Sequence, residues 1–308
     1  MTETTRTIRI GTRGSPLALA QAHEVRDRLL AAHAHLREAD IEIVVVSTKG
    51  DRIQDRSLSQ LGGKGLFTEE IENGLKDRSL DLAVHSMKDM PTALPEGLCI
   101  PCLLPREDTR DAFISRKADG IDSLPAGMLV GTASLRRQAQ VLRRRPDLRV
   151  AVFRGNVQTR LRKLEEGEAD ATLLAVAGLK RLGLEHVMTA PIDGMLPAIA
   201  QGAIGVEARL GDEEMARLLL AINDQATQHC VNAERALLAA LDGSCRTPIA
   251  GLATLADGRI HLRGEILTPD GREHHLVERD GPVSDAAALG HDAGVELRRR
   301  GGPGFFTS

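Results

Sequence analysis

Short β-rich runs and amphipathic helical stretches alternate along the first two-thirds of the chain. The apolar pattern predicts strands at 7–10, 41–46, 80–85, 128–130, 149–153 and 171–176. Helical periodicity is found at 17–31, 135–144, 157–166 and near 179. Ser15, Ser134 and Asn156 each stand just before one of these helices, where such residues act as N-caps. Strands that alternate with helices predict an α/β sheet with parallel strands.

Two stretches depart from this pattern. Between residues 48 and 65 no periodicity is sustained, and a structureless segment of that length is typically a lid or disordered. The last third begins with a predicted helix at 226–241, followed by short β runs with turn signals at Asp257-Gly258 and at 269–271. A final helix is predicted at about 285–300. These features predict a small α+β domain at the end of the chain.

Composition narrows the class of protein. The chain has 308 residues, enough for two domains or three small ones. Its 40 basic and 43 acidic residues give a net charge of −3, so any basic binding site must be local. Trp and Tyr are absent, which argues against a protein that stacks nucleic-acid bases on aromatic rings. Since no apolar run approaches a bilayer span and the first ten residues lack a signal-peptide core, we expect no nucleic-acid or membrane partner.

The four cysteines do not form a disulfide framework in a chain of this length. Cys99 and Cys102 form a C-x-x-C pair, which could be redox-active or half of a zinc site, but no second pair of Cys or His follows at matching spacing. We interpret the pair as structural and reduced, and expect no metal and a cytoplasmic protein. We expect a monomer because no obvious exposed apolar stripe requires a partner.

Five arginines fall in or just before the first turns of predicted helices. They are Arg13, Arg136, Arg137, Arg154 and Arg160. Cations are unfavourable at this end of the helix dipole, whereas the free N–H groups there bind anions. The alternative is a set of solvated surface arginines, but five placed alike favour a site for carboxylates or phosphates at the carboxyl edge of the sheet. The chain lacks the glycine motifs that bind nucleotide phosphates, which argues against a nucleotide.

Two further residues are candidates for chemistry. Asp89 follows a predicted strand and could stabilise a developing cation or shuttle a proton, although spacing alone favours a turn-forming or surface-paired Asp. Cys245 lies in a Gly-Ser-Cys turn, and a nucleophile, a covalent anchor and an inert residue are equally consistent with that pattern. His85 is interpreted as a strand residue and not as a ligand.

Eight segments together resemble one family, porphobilinogen deaminase (hydroxymethylbilane synthase). The segments are RIGTRGSPLAL (9–19), GGKGLF (62–67), AVHSMKD (83–89), GTASLRRQ (131–138), RGNVQTR (154–160), LAVAGLKR (174–181), QGA (201–203) and GSC (243–245). They occur in the family's order and extend from about residue 8 to residue 250. The combination is specific because no single segment has to carry the resemblance.

The resemblance implies a transferase of tetrapyrrole and heme biosynthesis. Such an enzyme condenses four porphobilinogen molecules head to tail into hydroxymethylbilane and releases ammonia at each step. The resemblance also implies a dipyrromethane cofactor bound through a thioether to Cys245, with Asp89 as the catalytic carboxylate. Cofactor contacts are implied for Ser86, Lys88, Asp89, Thr132, Ser134, Arg136, Arg137 and Asn156. Substrate contacts are implied for Arg13, Ser15, Lys64, Phe67, Arg154, Arg160, Arg181 and Gln201.

The family's fold implies an α/β protein with two periplasmic-binding-protein-like lobes and a small α+β C-terminal domain. The implied domains are domain 1 at 1–103 and 200–222, domain 2 at 104–199, and domain 3 at 223–308. The segment 48–65 would be a lid. One alternative is a non-catalytic bilobal anion-binding protein, which predicts no covalent adduct. The other is an Arg-lined enzyme acting on phosphorylated metabolites, which the missing phosphate-binding loops disfavour.

Overall fold

The computed structural model describes residues 7–52, 68–243 and 247–306. The chain forms two compact units. The first unit comprises Met1–Arg106 and Ala203–Gln228. The second unit comprises Glu107–Gly202 and His229–Ser308. Within the described ranges, no helix is long and apolar enough to cross a bilayer.

A five-stranded sheet forms the centre of the first unit. Its strands, in spatial order, are β2 (Ile41–Val45), β1 (Ile8–Thr12), β3 (Leu82–Ser86), β10 (Ile204–Arg209) and β4 (Leu98–Leu103). The helices of this unit are α1 (Pro16–Ala32), α2 (Lys49–Arg52), α3 (Glu69–Lys76) and α7 (Glu213–Leu220). Successive residues of a strand point to opposite faces. Leu82 and Val84 therefore pack among residues of α1 and α7, whereas Ala83 packs against α3.

The second unit has a five-stranded sheet of the same general design. Its strands, in spatial order, are β7 (Arg149–Ala151), β6 (Leu129–Gly131), β8 (Ala171–Ala175), β5 (Asp111–Ser115) and β9 (Ala190–Ile192). The helices that accompany it are α4 (Leu135–Arg144), α5 (Val157–Glu165) and α6 (Val176–Arg181). Apolar residues of this sheet are buried on both faces, in two separate clusters.

The C-terminal part of the second unit is a three-stranded antiparallel sheet with two helices. The strands are β11 (Ile249–Ala256), β12 (Arg259–Leu267) and β13 (His274–Pro282), and the helices are α8 (Gln225–Ala240) and α9 (Ala286–Gly301). Glu234 of α8 is fully buried and accepts backbone N–H groups from Ala200 at 2.6 Å and Ala253 at 2.8 Å. This carboxylate therefore joins the end of the chain to the segment that follows β9.

The predicted helix starts are confirmed. Ser15 accepts the Ala18 N–H at 3.3 Å, and Ser134 and Asn156 likewise cap α4 and α5 with their side-chain oxygens. The predicted hairpin turn at Asp257-Gly258 is also confirmed, with positive φ at both residues. The expected α/β class with a small C-terminal sheet and helix domain matches the observed architecture.

The prediction of parallel sheets is only partly correct, because both large sheets are mixed. In the first unit β1 pairs in parallel with β2 and β3, but β10 runs antiparallel to β3 and β4. In the second unit β5 runs antiparallel to β8 and β9. These antiparallel strands were not predicted, because an apolar run buried on both faces has no periodicity that reveals its direction or its partners.

Candidate active site

Asp89 lies in a short 3₁₀ turn, Met87–Asp89, that begins where β3 ends. The backbone N–H of Met87 donates to the Ala203 carbonyl at 3.0 Å. The Met87 side chain is buried over Gly205, where an added Cβ would come within 2.2 Å of the sulfur. Because Met87 is fixed in this way, the turn presents Asp89 as an exposed side chain.

Ser86, the last residue of β3, is held from the opposite face of the sheet. Gln21 of α1 donates from Nε2 to Ser86 Oγ at 2.8 Å, and Ser86 Oγ lies 3.0 Å from Gln21 Oε1. Gln21 is only 4% exposed. Gln21 was not among the predicted site residues, although a polar residue in register with Val25 and Leu29 on the buried stripe of α1 was a detectable signal.

The structure places Arg13 and Ser15 at the same edge of the sheet as Lys88 and Asp89. The first pair lies in the turn after β1 and the second in the turn after β3. Those strands are parallel neighbours, with Gly11 opposite Ala83. Parallel neighbours end at a common edge, which is where α/β proteins bind ligands. The four residues that the sequence indicated here therefore lie at one edge of the sheet of the first unit.

Arg136 and Arg137 differ from the sequence expectation in one important respect. Both are buried, and both bind the buried carboxylate of Asp111, through Nη2 atoms at 2.7 Å. Their Nη1 atoms donate to the carbonyls of Leu196 and Leu173. The anion that their position at a helix start predicted is thus supplied, at least in part, by the protein itself.

The charge balance of this cluster favours an ionised Asp111. Burial alone would raise the pKa of Asp111, but the charges of Arg136 and Arg137, with hydrogen bonds from Arg137 and Gln201, hold it well below its usual range. Two guanidinium groups face this carboxylate, and the charge of the partly buried Glu265 also acts on Arg136. The buried Nε atoms of both arginines have no hydrogen-bond partner among the residues that the structure describes.

Gln201 belongs to the same cluster. Its Nε2 donates to Asp111 Oδ1 at 2.9 Å and to the Thr109 carbonyl at 2.8 Å, and the residue is only 1% exposed. The structure therefore gives Gln201 a supporting contact with Asp111, which the sequence did not indicate. Arg181, by comparison, is partly exposed and donates from Nη2 to the Gly202 carbonyl at 3.0 Å.

Thr132 and Ser134 shape the turn between β6 and α4. The Thr132 hydroxyl is buried and accepts the Ser134 N–H at 3.2 Å, and the Ser134 hydroxyl accepts the Arg137 N–H at 3.4 Å. These two hydroxyl oxygens are thus used to hold the start of α4. The local contacts explain why small hydroxyl residues occur here, independently of any ligand.

Arg154, Asn156 and Arg160 gather at the start of α5. Asn156 Oδ1 accepts the Thr159 N–H at 2.8 Å, and Arg160 Nε donates to the Gly155 carbonyl at 2.9 Å. Gly155 has φ of +124°, a conformation that favours glycine. Arg154 Nη1 is buried and has no hydrogen-bond partner within the described ranges. A buried cationic donor at a helix start is typical of an anion site.

Three predicted site residues lie outside the described residues. They are Lys64, Phe67 and Cys245. The predicted lid at 48–65 also falls largely outside them, except that Lys49–Arg52 forms α2 and Lys49 Nζ binds Glu69 at 2.8 Å.

Cys99 and Cys102 lie on β4, three residues apart. The pairing of β4 with β10 shifts register between them, with Cys99 opposite Ala208 and Cys102 opposite Val206. Burial raises the pKa of Cys102 to about 12, and burial followed by the charge of Glu207 raises the pKa of Cys99. Both therefore favour the thiol form, which is the poorer nucleophile and metal ligand. Among the described residues, no group of three or more His, Cys, Asp or Glu could hold a metal ion.

Two family models match this chain. The model described as porphobilinogen deaminase, dipyromethane cofactor binding domain, matches residues 8–217, and the model described as porphobilinogen deaminase, C-terminal domain, matches residues 228–299. The porphobilinogen deaminase of Paracoccus denitrificans (strain Pd 1222) is 60% identical over 301 residues, covering 97% of this chain and 96% of that protein.

The solved structures that match are less similar to this chain. The VFT2 domain of BvgS from Bordetella pertussis has a TM-score of 0.43 at 15% identity, covering 75% of this chain and 91% of that one. A periplasmic substrate-binding protein of an ABC transporter from Coxiella burnetii has a TM-score of 0.43 at 14% identity, covering 72% of this chain and 94% of that one.

Proposed function

The chain belongs to the porphobilinogen deaminase family, and from that membership we propose how its residues carry out the family's reaction. The protein is a transferase, a hydroxymethylbilane synthase. It condenses four porphobilinogen molecules head to tail, releases ammonia at each step, and builds the chain on a dipyrromethane cofactor. The alternative of a non-catalytic anion-binding protein is not favoured.

The observation that supports the residue assignment is a set of buried cationic donors without acceptors. Nε of Arg136, Nε of Arg137 and Nη1 of Arg154 have no hydrogen-bond partner among the residues described. An unpaired buried N–H of a charged group is costly, so each calls for an anionic acceptor. Every pyrrole of the cofactor and of the growing chain carries an acetate and a propionate. The donors present therefore fit such a ligand.

We propose which residues would hold the cofactor. Cys245 would hold it through a thioether, and Asp89 would accept its pyrrole N–H groups. Its carboxylates would be bound by Ser86, Lys88, Thr132, Ser134, Arg136, Arg137 and Asn156. For Arg136 and Arg137 this contact would use Nε, because their Nη groups already bind Asp111 and two carbonyls. When bound, the cofactor supplies the primer to which each new pyrrole is joined.

The incoming substrate would be bound by a second set of residues. These are Arg13, Ser15, Arg154, Arg160 and Arg181, together with Lys64, Phe67 and Gln201. The arginines would orient the acetate and propionate of porphobilinogen through bidentate contacts. Gln201 would act through Asp111, which its amide already contacts, and not through a direct contact with substrate.

Asp89 would stabilise the positive charge that develops on the substrate as ammonia leaves. A carboxylate does this best when its position is fixed before the reaction, since no reorganisation is then needed at the moment of bond breaking. The Asp89 turn has this property, because Met87 and Ser86 anchor it from two faces of the sheet. The same carboxylate can accept a hydrogen bond from a pyrrole N–H and so orient the ring.

Intact-mass analysis tests the cofactor assignment. We expect the purified protein to be heavier than its sequence by one dipyrromethane, and Cys245→Ala to lack that increment and all turnover. Cys230→Ala serves as the control, because Cys230 is a buried cysteine of the same unit and should keep the increment. An increment that persists in Cys245→Ala would show that another residue carries the cofactor.

Arg154→Gln separates binding from stability. Removing one charge-assisted contact to substrate is expected to raise KM by about tenfold. The midpoint of thermal unfolding should stay the same or rise slightly, because the buried Nη1 of Arg154 has no partner to lose among described residues. Arg162→Gln, on the helix α5 that follows Arg154, is the control, since Arg162 pairs with Glu166 at the surface. An unchanged KM in Arg154→Gln would contradict the assignment.

We also propose a monomeric, cytoplasmic enzyme with three domains at 1–103 and 200–222, 104–199, and 223–308. Support for the cytoplasm comes from the free thiols of Cys99 and Cys102. Sedimentation equilibrium of the purified protein tests the oligomeric state, and limited proteolysis followed by mass analysis tests the domain boundaries.

A further inference from the structure

A buried polar cluster lies on the face of the first sheet that α3 covers. His85 Nε2 of β3 is 2.9 Å from Glu207 Oε2 of β10, and the two residues are 7% and 0% exposed. Glu72 and its helix-start neighbour Thr68 are also buried there. Burial, followed by the charge on Glu207, raises the pKa of Glu72. The site assignments above use none of these four residues.

Stability does not account for this cluster. Apolar side chains pack between α3 and the sheet, among them Ile71, Leu75 and Leu98. Oε1 of Glu207 and Oε1 of Glu72 are buried and lack a hydrogen-bond partner in the described part of the chain. Buried charged pairs can often be replaced by apolar residues of similar volume with no loss of stability. A costly pair in an apolar interface therefore calls for a role other than packing.

The pair lies directly behind the turn that carries Asp89. His85 and Met87 point to the same face of β3, and in the register His85 faces Gly205, the residue over which Met87 packs. Glu207 is two residues further along β10, on that same face. The His85–Glu207 contact thus joins β3 to β10 one residue before β3 ends. Within the turn, the backbone N–H of Met90 donates a hydrogen bond to the Met87 carbonyl at 3.2 Å.

We propose that His85 and Glu207 are positioning residues for Asp89, which fix the end of β3 so that the turn holds the carboxylate at one place. Gln21 does the same from the α1 face through Ser86. The end of β3 is therefore held on one face by Gln21 of α1 and on the other by Glu207 of β10. This inference rests on the proposed catalytic role of Asp89.

The decisive variant replaces the pair by apolar residues, His85→Leu with Glu207→Met. Cofactor-loaded protein, checked by intact mass, is compared with the wild type in thermal unfolding and steady-state kinetics. We expect an unfolding midpoint equal to or above that of the wild type. We expect kcat to fall about tenfold to a hundredfold with KM within twofold, because small misplacements of a reacting group have effects of this size. A purely structural pair would leave kcat unchanged.

Two single variants test the positioning role of His85 even if the double variant does not fold. His85→Gln can place an amide nitrogen near the position of Nε2 and still donate to Glu207, so it should recover most of kcat. The side chain of His85→Asn is equally polar but too short to reach Glu207. Its kcat should therefore fall as far as that of the double variant. Ile71→Val, in the same interface, is the control and should keep kcat. Equal kcat in His85→Gln and His85→Asn would overturn the proposal.

Asp89→Ala, assayed in parallel, tests the catalytic role of Asp89 separately from the positioning role of His85. Loss of turnover in Asp89→Ala with full kcat in His85→Asn would overturn only the positioning role of His85. Full turnover in Asp89→Ala would overturn the catalytic assignment on which that role depends.

Discussion

Replacing Asp89 with alanine is expected to remove nearly all turnover of porphobilinogen and to leave the fold intact. The loss should be roughly 10²–10³-fold or more in kcat, the range found when one preorganised group that stabilises transition-state charge is removed. Stability should change little, because Asp89 is exposed and Met87 and Ser86 hold the turn from its other side. Steady-state release of product, with thermal unfolding as the companion measurement, checks both expectations.

Conservative variants identify what Asp89 contributes. Asp89→Asn keeps the shape and a hydrogen-bond acceptor but removes the charge, so it should fail almost as completely as Asp89→Ala. Asp89→Glu keeps the charge in a displaced position and should retain intermediate turnover. Glu96→Ala is a matched control, since Glu96 is another exposed carboxylate of the first unit. Normal kcat in Asp89→Asn would refute charge stabilisation as the role of this residue.

Replacing Asp111 with asparagine is expected to have the largest effect on stability. The change leaves the guanidinium groups of Arg136 and Arg137 buried without the carboxylate that both bind at 2.7 Å. Breaking a buried ion pair by removing one partner typically costs about 3–5 kcal/mol. In a protein of this size the midpoint of thermal unfolding should fall by roughly 5–8 °C. Asp193→Asn is the control, because Asp193 is exposed and pairs with Arg110 at the surface, where ion pairs contribute little.

The effect of Asp111→Asn should depend on pH in a definite direction. The pKa of Asp111 in the folded protein is held below the value of an unfolded chain, so its stabilising effect is complete above that ordinary value and lost as pH falls towards the lowered one. The difference in free energy of unfolding between wild type and Asp111→Asn should therefore be largest at neutral pH and shrink in acid. Denaturant titrations at several pH values measure it. A difference that stays constant with pH would contradict an ionised Asp111.

Local sequence patterns were sufficient for most helices and for their starts. The predicted helix at 135–144 coincides with α4, and Ser15, Ser134 and Asn156 all act as caps. Caps, helical periodicity and hairpin turns depend on residues a few positions apart, so the sequence contains all the information that they need. The family motifs likewise indicated Asp89, whose turn directly follows a strand that apolar periodicity predicted.

The sequence by itself determined the α/β class, the helix starts and the places where charged residues gather. Only the tertiary structure decided which of those residues support one another. Arg136 meets Asp111 across 25 positions, Gln21 meets Ser86 across 65, and His85 meets Glu207 across 122. Each contact forms because strand pairing and helix packing bring distant segments together and exclude water from both partners. A buried polar residue must then find its partner in three dimensions, and nothing in its neighbours along the chain specifies which partner that is.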